Sequence, residues 1–273
     1  MKLLHFTDIH LTGLGKTIGG RDPNANFDKA LAHALALHSD AERIFITGDL
    51  SDWGEAEDYA RLLARIADLS VPVELMIGNH DDRTTFLDAF PELDTEGFVQ
   101  RVVPLSLGHA ICLDTWGPQT HAGHFCEARA AWLADQLSAL PGPVFLFMHH
   151  NPVPIHVAPM DEIMLLDHAR FAETIAPYAA KIRHIFHGHC HLPLTGSLHG
   201  IPLSAPRGTN HAGWPDFAAT RLLSSAELPE AYSVIFATET TTLCHMVEFG
   251  YAGEIKGEGS PDYADWDQLT MVR

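Results

Sequence analysis

Five short apolar segments of this chain each end directly in a cluster of carboxylate, imidazole or amide side chains. The first segment, residues 3–10, reads Leu-Leu-His-Phe-Thr-Asp-Ile-His, so that Asp8 and His10 are two positions apart. In a β-strand such residues point to the same side, and a carboxylate and an imidazole would leave the strand together. This pairing is typical of metal ligands. If the other four clusters supply further ligands, the fold must bring all five clusters to one place.

The remaining four clusters follow apolar segments further along the chain. They read Gly48-Asp49-Leu50-Ser51-Asp52, Gly78-Asn79-His80-Asp81, His149-His150-Asn151-Pro152 and Gly188-His189-Cys190-His191. In an α/β sheet the carboxyl ends of parallel strands share one edge, and ligands bind at that edge. We therefore expect the five clusters to meet there.

Strands and helices alternate through the first two-thirds of the chain, which predicts an α/β fold with parallel strand pairs. The predicted strands are short and apolar, as strands buried on both faces should be. They cover residues 2–7, 43–47, 73–77, 110–114, 144–148 and 182–186. Helices are predicted at about 27–38, 56–67, 82–90, 127–140 and 167–177.

The pattern changes after residue 192, where short apolar runs separated by turns indicate antiparallel hairpins. We expect one catalytic domain over residues 1–249, in which 194–249 are mainly antiparallel hairpins of the second sheet. Within this part, residues 206–230 form a long connection of the kind that is usually functional or mobile. The polar residues 250–273 are expected to form a C-terminal tail, and an arm, a subunit contact and partial disorder all remain open for it.

Composition narrows the class of protein and its partners. The formal charge of −18 argues against a nucleic-acid polymer or an anionic membrane as partner. No run of 18 apolar residues and no secretory signal is evident, and the four Cys lack CxxC spacing. We expect a cytoplasmic protein with a small-molecule substrate, and a homo-oligomer remains open.

The donors in the clusters are too many for one metal ion. One ion cannot take seven protein ligands and keep an open position, whereas two ions can, if a carboxylate bridges them. The seven donors are Asp8, His10, Asp49, Asn79, His149, His189 and His191. Asp49 is the candidate bridge because Gly48 allows backbone and metal to approach closely. Such a site, with a charge of about +2, would attract a phosphoester anion and lower the pKa of bound water.

The ordered motifs D-x-H, G-D-x-x-D, G-N-H-D, H-H-x-P and G-H-x-H resemble those of the calcineurin-like metallophosphoesterase superfamily over residues 3–191. Within it the chain is similar to the bacterial class III cyclic nucleotide phosphodiesterases and the glycerophosphodiesterases. The resemblance implies a four-layer α-β-β-α sandwich of two mixed β-sheets flanked by helices. It also implies hydrolysis of a small phosphodiester, cyclic nucleotide or glycerophosphodiester, by in-line attack of a metal-bound hydroxide on phosphorus.

The resemblance also implies a role for each residue of the motifs. Asp8, His10 and His191 would hold the first metal, Asn79, His149 and His189 the second, and Asp49 would bridge them. His80 would face the substrate and assist the leaving oxygen, with Asp52 orienting it. Asn79, His80 and, on a looser match, His211 would contact substrate. The metals are Fe, Mn or Zn, and the ligand types do not separate these.

One position departs from the family pattern. The phosphoprotein phosphatases of the superfamily carry Arg directly after the second Asp of G-D-x-x-D, whereas this chain has Trp53. A monoester dianion needs more positive charge than a diester monoanion, so Trp53 favours diesters. A phosphomonoesterase or nucleotide pyrophosphatase on the same site is the alternative, and a metal-bearing scaffold without catalysis is a more remote one.

Several assignments remain open from the residues alone. Strand register and the following Pro152 favour His149 over His150 as the ligand. The loops that carry His121, His124 and His156 are able to border the site, and the loop 11–26 either closes over substrate or is a surface connection. The other histidines are expected to lie mostly on the surface or on strand faces and are assigned no function. They are His5, His33, His38, His109, His168, His184, His199 and His245.

Overall fold

The computed structural model describes residues 1–256, in which two large β-sheets pack face to face. The strands are β1 (Lys2–Phe6), β2 (Arg43–Thr47), β3 (Val73–Met76), β4 (Arg101–Leu105), β5 (Gly108–Cys112), β6 (Val144–Phe147), β7 (Ile182–Phe186), β8 (Leu194–Leu198), β9 (Ile201–Ala205), β10 (Ala212–Trp214), β11 (Ser224–Ala226), β12 (Tyr232–Ala237) and β13 (Thr242–Val247). The α-helices are α1 (Pro23–His38), α2 (Ala56–Ile66), α3 (Arg83–Ala89), α4 (Glu127–Ala139), α5 (Ala158–Asp161) and α6 (His168–Ile175), with 3₁₀ turns at Pro91–Leu93 and Ala176–Lys181.

Both large sheets are mixed. The first has the strand order β13-β12-β1-β2-β3, and the second has the order β4-β5-β6-β7-β9-β8. The strands β1, β2 and β3 run parallel, as do β5, β6, β7 and β9, while β4, β8, β12 and β13 pair antiparallel. Parallel central strands place their carboxyl ends at one edge of each sheet.

Alternating strand residues divide the interior into three cores, as the period of two in a strand requires. Phe45, Phe145 and Phe147 belong to a core between the sheets, whereas their neighbours Ile44 and Leu146 belong to cores on the outer faces. The rings of Phe45 and Phe147 stack across the gap between the sheets, with centroids 3.9 Å apart. Helix, sheet, sheet and helix therefore form four layers, and the predicted fold class is confirmed.

The outer cores are closed by amphipathic helices. Helix α1 begins after Asp22, whose carboxylate accepts hydrogen bonds from the backbone N–H groups of Asn24 and Ala25. It buries Phe27 against the first sheet, and α4 buries Leu133 in the core of the second sheet. The helices thus fix the two sheets from outside and leave the strand ends free.

The two late hairpins do not share a sheet, which corrects the expectation that residues 194–249 belong mainly to the second one. The hairpin of β8 and β9 extends the second sheet, but β12 pairs antiparallel with β1 and so extends the first. The reason is that β12 is apolar on both faces, with Val234 in an outer core and Ile235 in the core between the sheets. Such a strand is an interior strand, and it covers the open edge of β1.

Strand β4 has no counterpart in the sequence prediction, and its partner β5 begins two residues before the predicted 110–114. Pro104 argues against a strand in the sequence, because proline is rare in central strands. In the structure β4 is an edge strand of the second sheet, where proline is tolerated. The turn between the two strands extends the pairing back to Gly108, which faces Leu105.

Two of the histidines expected on the surface or on strand faces, His5 of β1 and His184 of β7, lie on buried strand faces. The His5 ring packs edge-on against Phe147, and its Nε2 is 2.8 Å from the Thr47 hydroxyl. The His184 ring stacks on Phe186 and is hydrogen-bonded to the Ser204 hydroxyl at 2.8 Å. Burial lowers the pKa of His5 to about 3 and that of His184 to about 4. These imidazoles are neutral packing residues with satisfied hydrogen bonds.

The chain leaves the second hairpin beside Glu230, whose carbonyl accepts a hydrogen bond from the Gly250 N–H at 3.4 Å. Of the predicted tail at 250–273, the residues from 257 onward lie outside the described part of the chain. Within residues 1–256, no helix is both long enough and apolar enough to cross a bilayer.

Candidate metal centre

The five polar clusters meet where the two sheets adjoin at their carboxyl ends. Backbone hydrogen bonds tie the clusters together: the Asp8 N–H donates to the Gly48 carbonyl at 3.1 Å, and the Gly188 N–H donates to the His149 carbonyl at 2.9 Å. The sheets are joined by His149 of the second, whose Nδ1 donates to the Thr47 carbonyl of the first at 2.8 Å. This bond directs the other nitrogen of His149 into the site.

Asp49 lies between two groups of donors. Its Oδ2 is 3.6 Å from Nε2 of His10, and its Oδ1 is 3.4 Å from Nε2 of His149. On the first side, Nε2 of His191 is 3.3 Å from Nε2 of His10 and 3.4 Å from Oδ1 of Asp8. The two oxygens of one carboxylate therefore face two separate groups, an arrangement that suits a bridging ligand.

The second group contains Asn79, His149 and His189. Oδ1 of Asn79 is 3.0 Å from Nε2 of His149, and the His189 ring lies 5.1 Å from the His149 ring. Nε2 of His189 is buried and has no hydrogen-bond partner, which is costly for a polar atom. The structure therefore brings together all seven donors predicted from the sequence.

These donors fit two divalent cations. Ligands about 2.0–2.2 Å from one ion are about 3–3.5 Å from each other, which is the range of the separations within each group. A cation at the second group would bind Nε2 of His189, which has no hydrogen-bond partner. A cation at the first group would lie between the facing nitrogens of His10 and His191. Carboxylate, amide and imidazole donors without thiolate suit Fe, Mn or Zn.

The backbone at the donors is strained. Asp8, His10, Asp49, His189 and His191 all have positive φ, between 48° and 68°. This conformation is uncommon for residues other than glycine and costs of order 1–3 kcal/mol each. Since β1 ends at Phe6 and β7 at Phe186, the paired donors lie beyond their strands. The strand alternation that suggested the pairs is therefore not what directs them; left-handed turns do so.

Glycines make room for the bridge. Gly48 has φ +100°, and a Cβ there would lie 2.6 Å from the Gly78 backbone nitrogen. A Cβ at Gly78 would in turn overlap the Asp49 carboxylate. The two turns that carry Asp49 and Asn79 thus approach each other at a distance that only glycine permits.

Electrostatics keep the donors in the forms that metals bind. Burial acts to raise the pKa of Asp49, but the imidazoles of His149, His80 and His10 outweigh it, and the pKa is lowered. Burial, followed by the neighbouring His149, lowers the pKa of His189 well below its usual value. An ionised Asp49 and a neutral His189 are the states required of metal ligands.

Asp52 contacts a different histidine from the one predicted. Its Oδ1 is 3.0 Å from Nδ1 of His10 and 3.7 Å from Nδ1 of His80. The backbone carbonyl of Asp52, at 3.0 Å, is what accepts the hydrogen bond from Nδ1 of His80. The expectation that the Asp52 carboxylate orients His80 is corrected in one respect: the carboxylate is hydrogen-bonded to His10 and is more distant from His80, which the Asp52 backbone carbonyl holds instead.

His80 borders the donors without being one of them. Its backbone N–H donates to Oδ1 of Asp49 at 2.9 Å, and its side chain is 28% exposed. Because Nδ1 is bonded to the Asp52 carbonyl, Nε2 is left free for a substrate.

The choice between His149 and His150 is clear in the structure. His150 is buried, with Nδ1 2.8 Å from the Thr115 hydroxyl and Nε2 donating to the His121 carbonyl at 3.3 Å. Both of its nitrogens are engaged, whereas His149 presents Nε2 to Asp49. His149 is therefore the better metal ligand.

His121 and His211 border the site. Nδ1 of His121 accepts a hydrogen bond from the Asn79 amide at 2.9 Å, which turns Oδ1 of Asn79 toward His149. The His211 ring is 4.2 Å from the His191 ring, and its carbonyl accepts a hydrogen bond from Nδ1 of His191 at 3.0 Å. By contrast, His124 faces Asp167 at 3.6 Å. For His121 and His124 the loop positions were the available signal, whereas His211 was expected near the site from the family resemblance.

Asp81 is a residue that the sequence reasoning left without a role. Its buried carboxylate accepts hydrogen bonds from the backbone N–H groups of Leu50, Ser51 and Gly78 and from the Tyr59 hydroxyl. Burial and the nearby Asp49 raise its pKa to about 6. The carboxylate holds the second and third clusters together, and its place at the end of G-N-H-D was the available signal.

Two cavities open above the donors. The larger, of about 590 Å³, contains Asp49, His10, His189 and His191 in its lining and has an apolar wall that includes Val157. The smaller, of about 340 Å³, shares Asn79, His80 and His121 with it.

The loop 11–26 contributes Ile18 to the larger cavity. Arg21 of the same loop and Asn26, which lies in α1, instead donate to the Asn210 carbonyl, at 3.4 and 3.3 Å. They anchor the loop that carries His211, and in this structure they do not point at the donors.

The sequence profile of calcineurin-like phosphoesterases matches residues 1–193. The chain belongs to the calcineurin-like phosphoesterase family. It is 34% identical over 261 residues to a probable cyclic nucleotide phosphodiesterase of Rhodopseudomonas palustris, covering 93% of this chain and 95% of that protein. It is 29% identical over 198 residues to a glycerophosphodiester phosphodiesterase of Enterobacter lignolyticus, covering 70% and 71%. The family recognised from the five motifs is thereby confirmed.

Solved structures agree on the fold. A dimetal phosphatase from Danio rerio superposes with a TM-score of 0.69 at 12% identity, covering 91% of this chain and 96% of that one. At this identity the likeness concerns the fold alone.

The contact between Asp52 and His10 predicts a measurable effect on metal affinity. Asp52→Ala removes the carboxylate that orients His10, while the backbone carbonyl that orients His80 remains. We expect the affinity for Mn²⁺ or Zn²⁺ to fall about 10–100-fold in a chelator competition assay. The exposed Asp40→Ala serves as control. Unchanged affinity in Asp52→Ala would contradict this role for the carboxylate.

Proposed function

We propose that this chain hydrolyses small phosphodiesters at a centre of two metal ions. The observation that carries the proposal is the position of Asp49, whose two oxygens face two groups of donors on the floor of an open cavity. Two ions held there would neutralise phosphoryl oxygens and supply hydroxide at neutral pH. Cyclic nucleotides and glycerophosphodiesters are the substrate types named for the relatives, and both are monoanionic diesters.

The reaction we propose adds the oxygen of water to phosphorus and breaks one P–O ester bond. One proton of the water ends on the departing alcohol. His80 is placed to assist that departure, because it lines both cavities while its Nδ1 is held by the Asp52 carbonyl. Asn79, turned by its hydrogen bond to His121, offers its oxygen to the second group of donors.

Charge favours a diester over a monoester. Two divalent ions with the carboxylates of Asp8 and Asp49 leave about +2 at the centre by simple addition. Within the described residues 1–256, Arg221 is the one Lys or Arg side chain that lines the larger cavity, and none lines the smaller. Trp53 stands directly beside the site, where the family's phosphoprotein phosphatases carry Arg. A diester, with one negative charge, is matched by such a site better than a dianionic monoester.

We further propose that the protein works in a reducing compartment such as the cytoplasm. Cys112, Cys126, Cys190 and Cys244 are all unpaired, which is typical of proteins kept reduced.

The substrate class is tested with two chromogenic esters. Protein reconstituted with Mn²⁺, Fe²⁺ or Zn²⁺ is expected to hydrolyse bis(p-nitrophenyl) phosphate with a kcat/KM about tenfold or more above that for p-nitrophenyl phosphate, an advantage of about 1.4 kcal/mol. A preference for the monoester would favour a phosphomonoesterase. Absence of hydrolysis with every metal would favour a metal-bearing scaffold.

The role of His80 is tested separately from metal binding. His80→Ala is expected to lower kcat for the diester about 10²–10⁴-fold while elemental analysis still finds two metals, because a proton donor is lost but no ligand. His168→Ala, on the surface of α6, is the control. Full activity in His80→Ala would show that the departing alcohol needs no help from this imidazole.

A further inference from the structure

The smaller cavity adjoins the larger, donor-lined cavity. It shares Asn79, His80 and His121 with the larger cavity, while Asp49, His10, His189 and His191 line the larger one alone. His80 therefore stands at the junction of two spaces. One space lies over the donors and the other lies beyond His80.

Trp53 forms one side of the smaller cavity and is unusually exposed. Its side chain is 73% accessible, although its backbone is fixed. The Trp53 N–H donates to the Ser51 hydroxyl at 3.3 Å. The next residue, Gly54, has φ +66° and packs closely against Asp82. A Cβ at Gly54 would lie 2.6 Å from the Asp82 nitrogen. An exposed indole on a fixed turn is a ready surface for stacking.

Trp116 also lines the smaller cavity and is held by two contacts. The Trp116 Nε1–H donates to the Asp81 carbonyl at 2.7 Å, and the Arg83 guanidinium lies over the Trp116 ring at 4.5 Å. Among residues 1–256, the lining of this cavity includes Asp81 and Asp82 and no Lys or Arg. A phosphate or other anion would be repelled there, whereas an uncharged planar group would find an indole to stack on.

In an in-line displacement the leaving oxygen departs opposite the attacking one. Hydroxide supplied by ions on the donor-lined floor of the larger cavity would attack from that side, and His80 would assist the departing oxygen. Because His80 lines both cavities, the leaving alcohol would then depart past His80 toward the smaller cavity.

We infer that the smaller cavity is the leaving-group subsite, and that Trp53 determines specificity by stacking on an aromatic ring carried by an uncharged leaving group. This inference rests on the proposed phosphodiesterase function. It adds the chemical class of the alcohol that leaves when the ester bond breaks. It also disfavours pyrophosphates, whose leaving group is an anion.

The test compares two diesters that differ in their leaving group. The probes are methyl p-nitrophenyl phosphate, which releases an aromatic alcohol, and glycerophosphoethanolamine, which releases an aliphatic one. Each is assayed with metal-reconstituted wild type, Trp53→Ala and Trp53→Phe. Phe217→Ala is the matched control, since Phe217 is 72% exposed and lines neither cavity.

Trp53→Ala should lower kcat/KM for the aromatic probe about tenfold, as the loss of one stacking contact requires, and change that for glycerophosphoethanolamine less than about twofold. Trp53→Phe should restore most of the loss, and Phe217→Ala should resemble wild type. Equal effects of Trp53→Ala on both probes, or none on either, would overturn the inference while leaving the phosphodiesterase function intact. If wild type hydrolysed neither probe, the proposed function itself would fail.

Discussion

The site depends on Asp49, one buried carboxylate shared between two groups of donors. A buried charge is stable only where opposite charges and hydrogen bonds compensate it. Asp49 receives the His80 N–H and faces imidazoles on both sides, and its turn fits only because Gly48 and Gly78 have no side chains. The strain of five left-handed residues is concentrated around this carboxylate, and we infer that metal binding offsets it.

The four-layer sandwich positions the groups that surround Asp49. Two sheets packed through Phe45 and Phe147 bring two sets of parallel strand ends to one place, which neither sheet could do alone. The hydrogen bond from His149 to the Thr47 carbonyl joins the sheets at that place. Because the same bond points Nε2 of His149 at Asp49, the packing of the fold and the geometry of the site are determined together.

Much of this was predictable because apolar strands and the polar residues after them are local signals. The central strands were predicted from short apolar runs, and the helices from the segments between them. The meeting of the seven donors was predicted because the carboxyl ends of parallel strands share one edge of a sheet. Strand β4 was not predicted, because Pro104 argues against a strand. The pairing of β12 with β1 was not predicted either, because the two strands are far apart in sequence. The burial of His5 and His184 on their strand faces did not follow either, because their hydrogen-bond partners Thr47 and Ser204 come from other strands.

The predicted pair of Asp8 and His10 was found for a reason that the structure revises. Strand alternation suggested that they share a side, yet they lie beyond β1 in left-handed turns. Likewise, Asp52 was expected beside His80 by resemblance, but its carboxylate contacts His10, because the direction of a turn is set by tertiary packing. Sequence spacing therefore identified which residues meet, and the backbone conformation decided which atoms face each other.

The bridging role of Asp49 is the central claim, and anomalous X-ray diffraction from crystals of Mn²⁺-loaded protein tests it most directly. The account predicts two anomalous peaks about 3.5–4 Å apart, with one oxygen of Asp49 or both lying between them. His10 and His191 should contact one peak, and His149 and His189 the other. A single peak, or two peaks of which only one is bound by Asp49, would contradict the account.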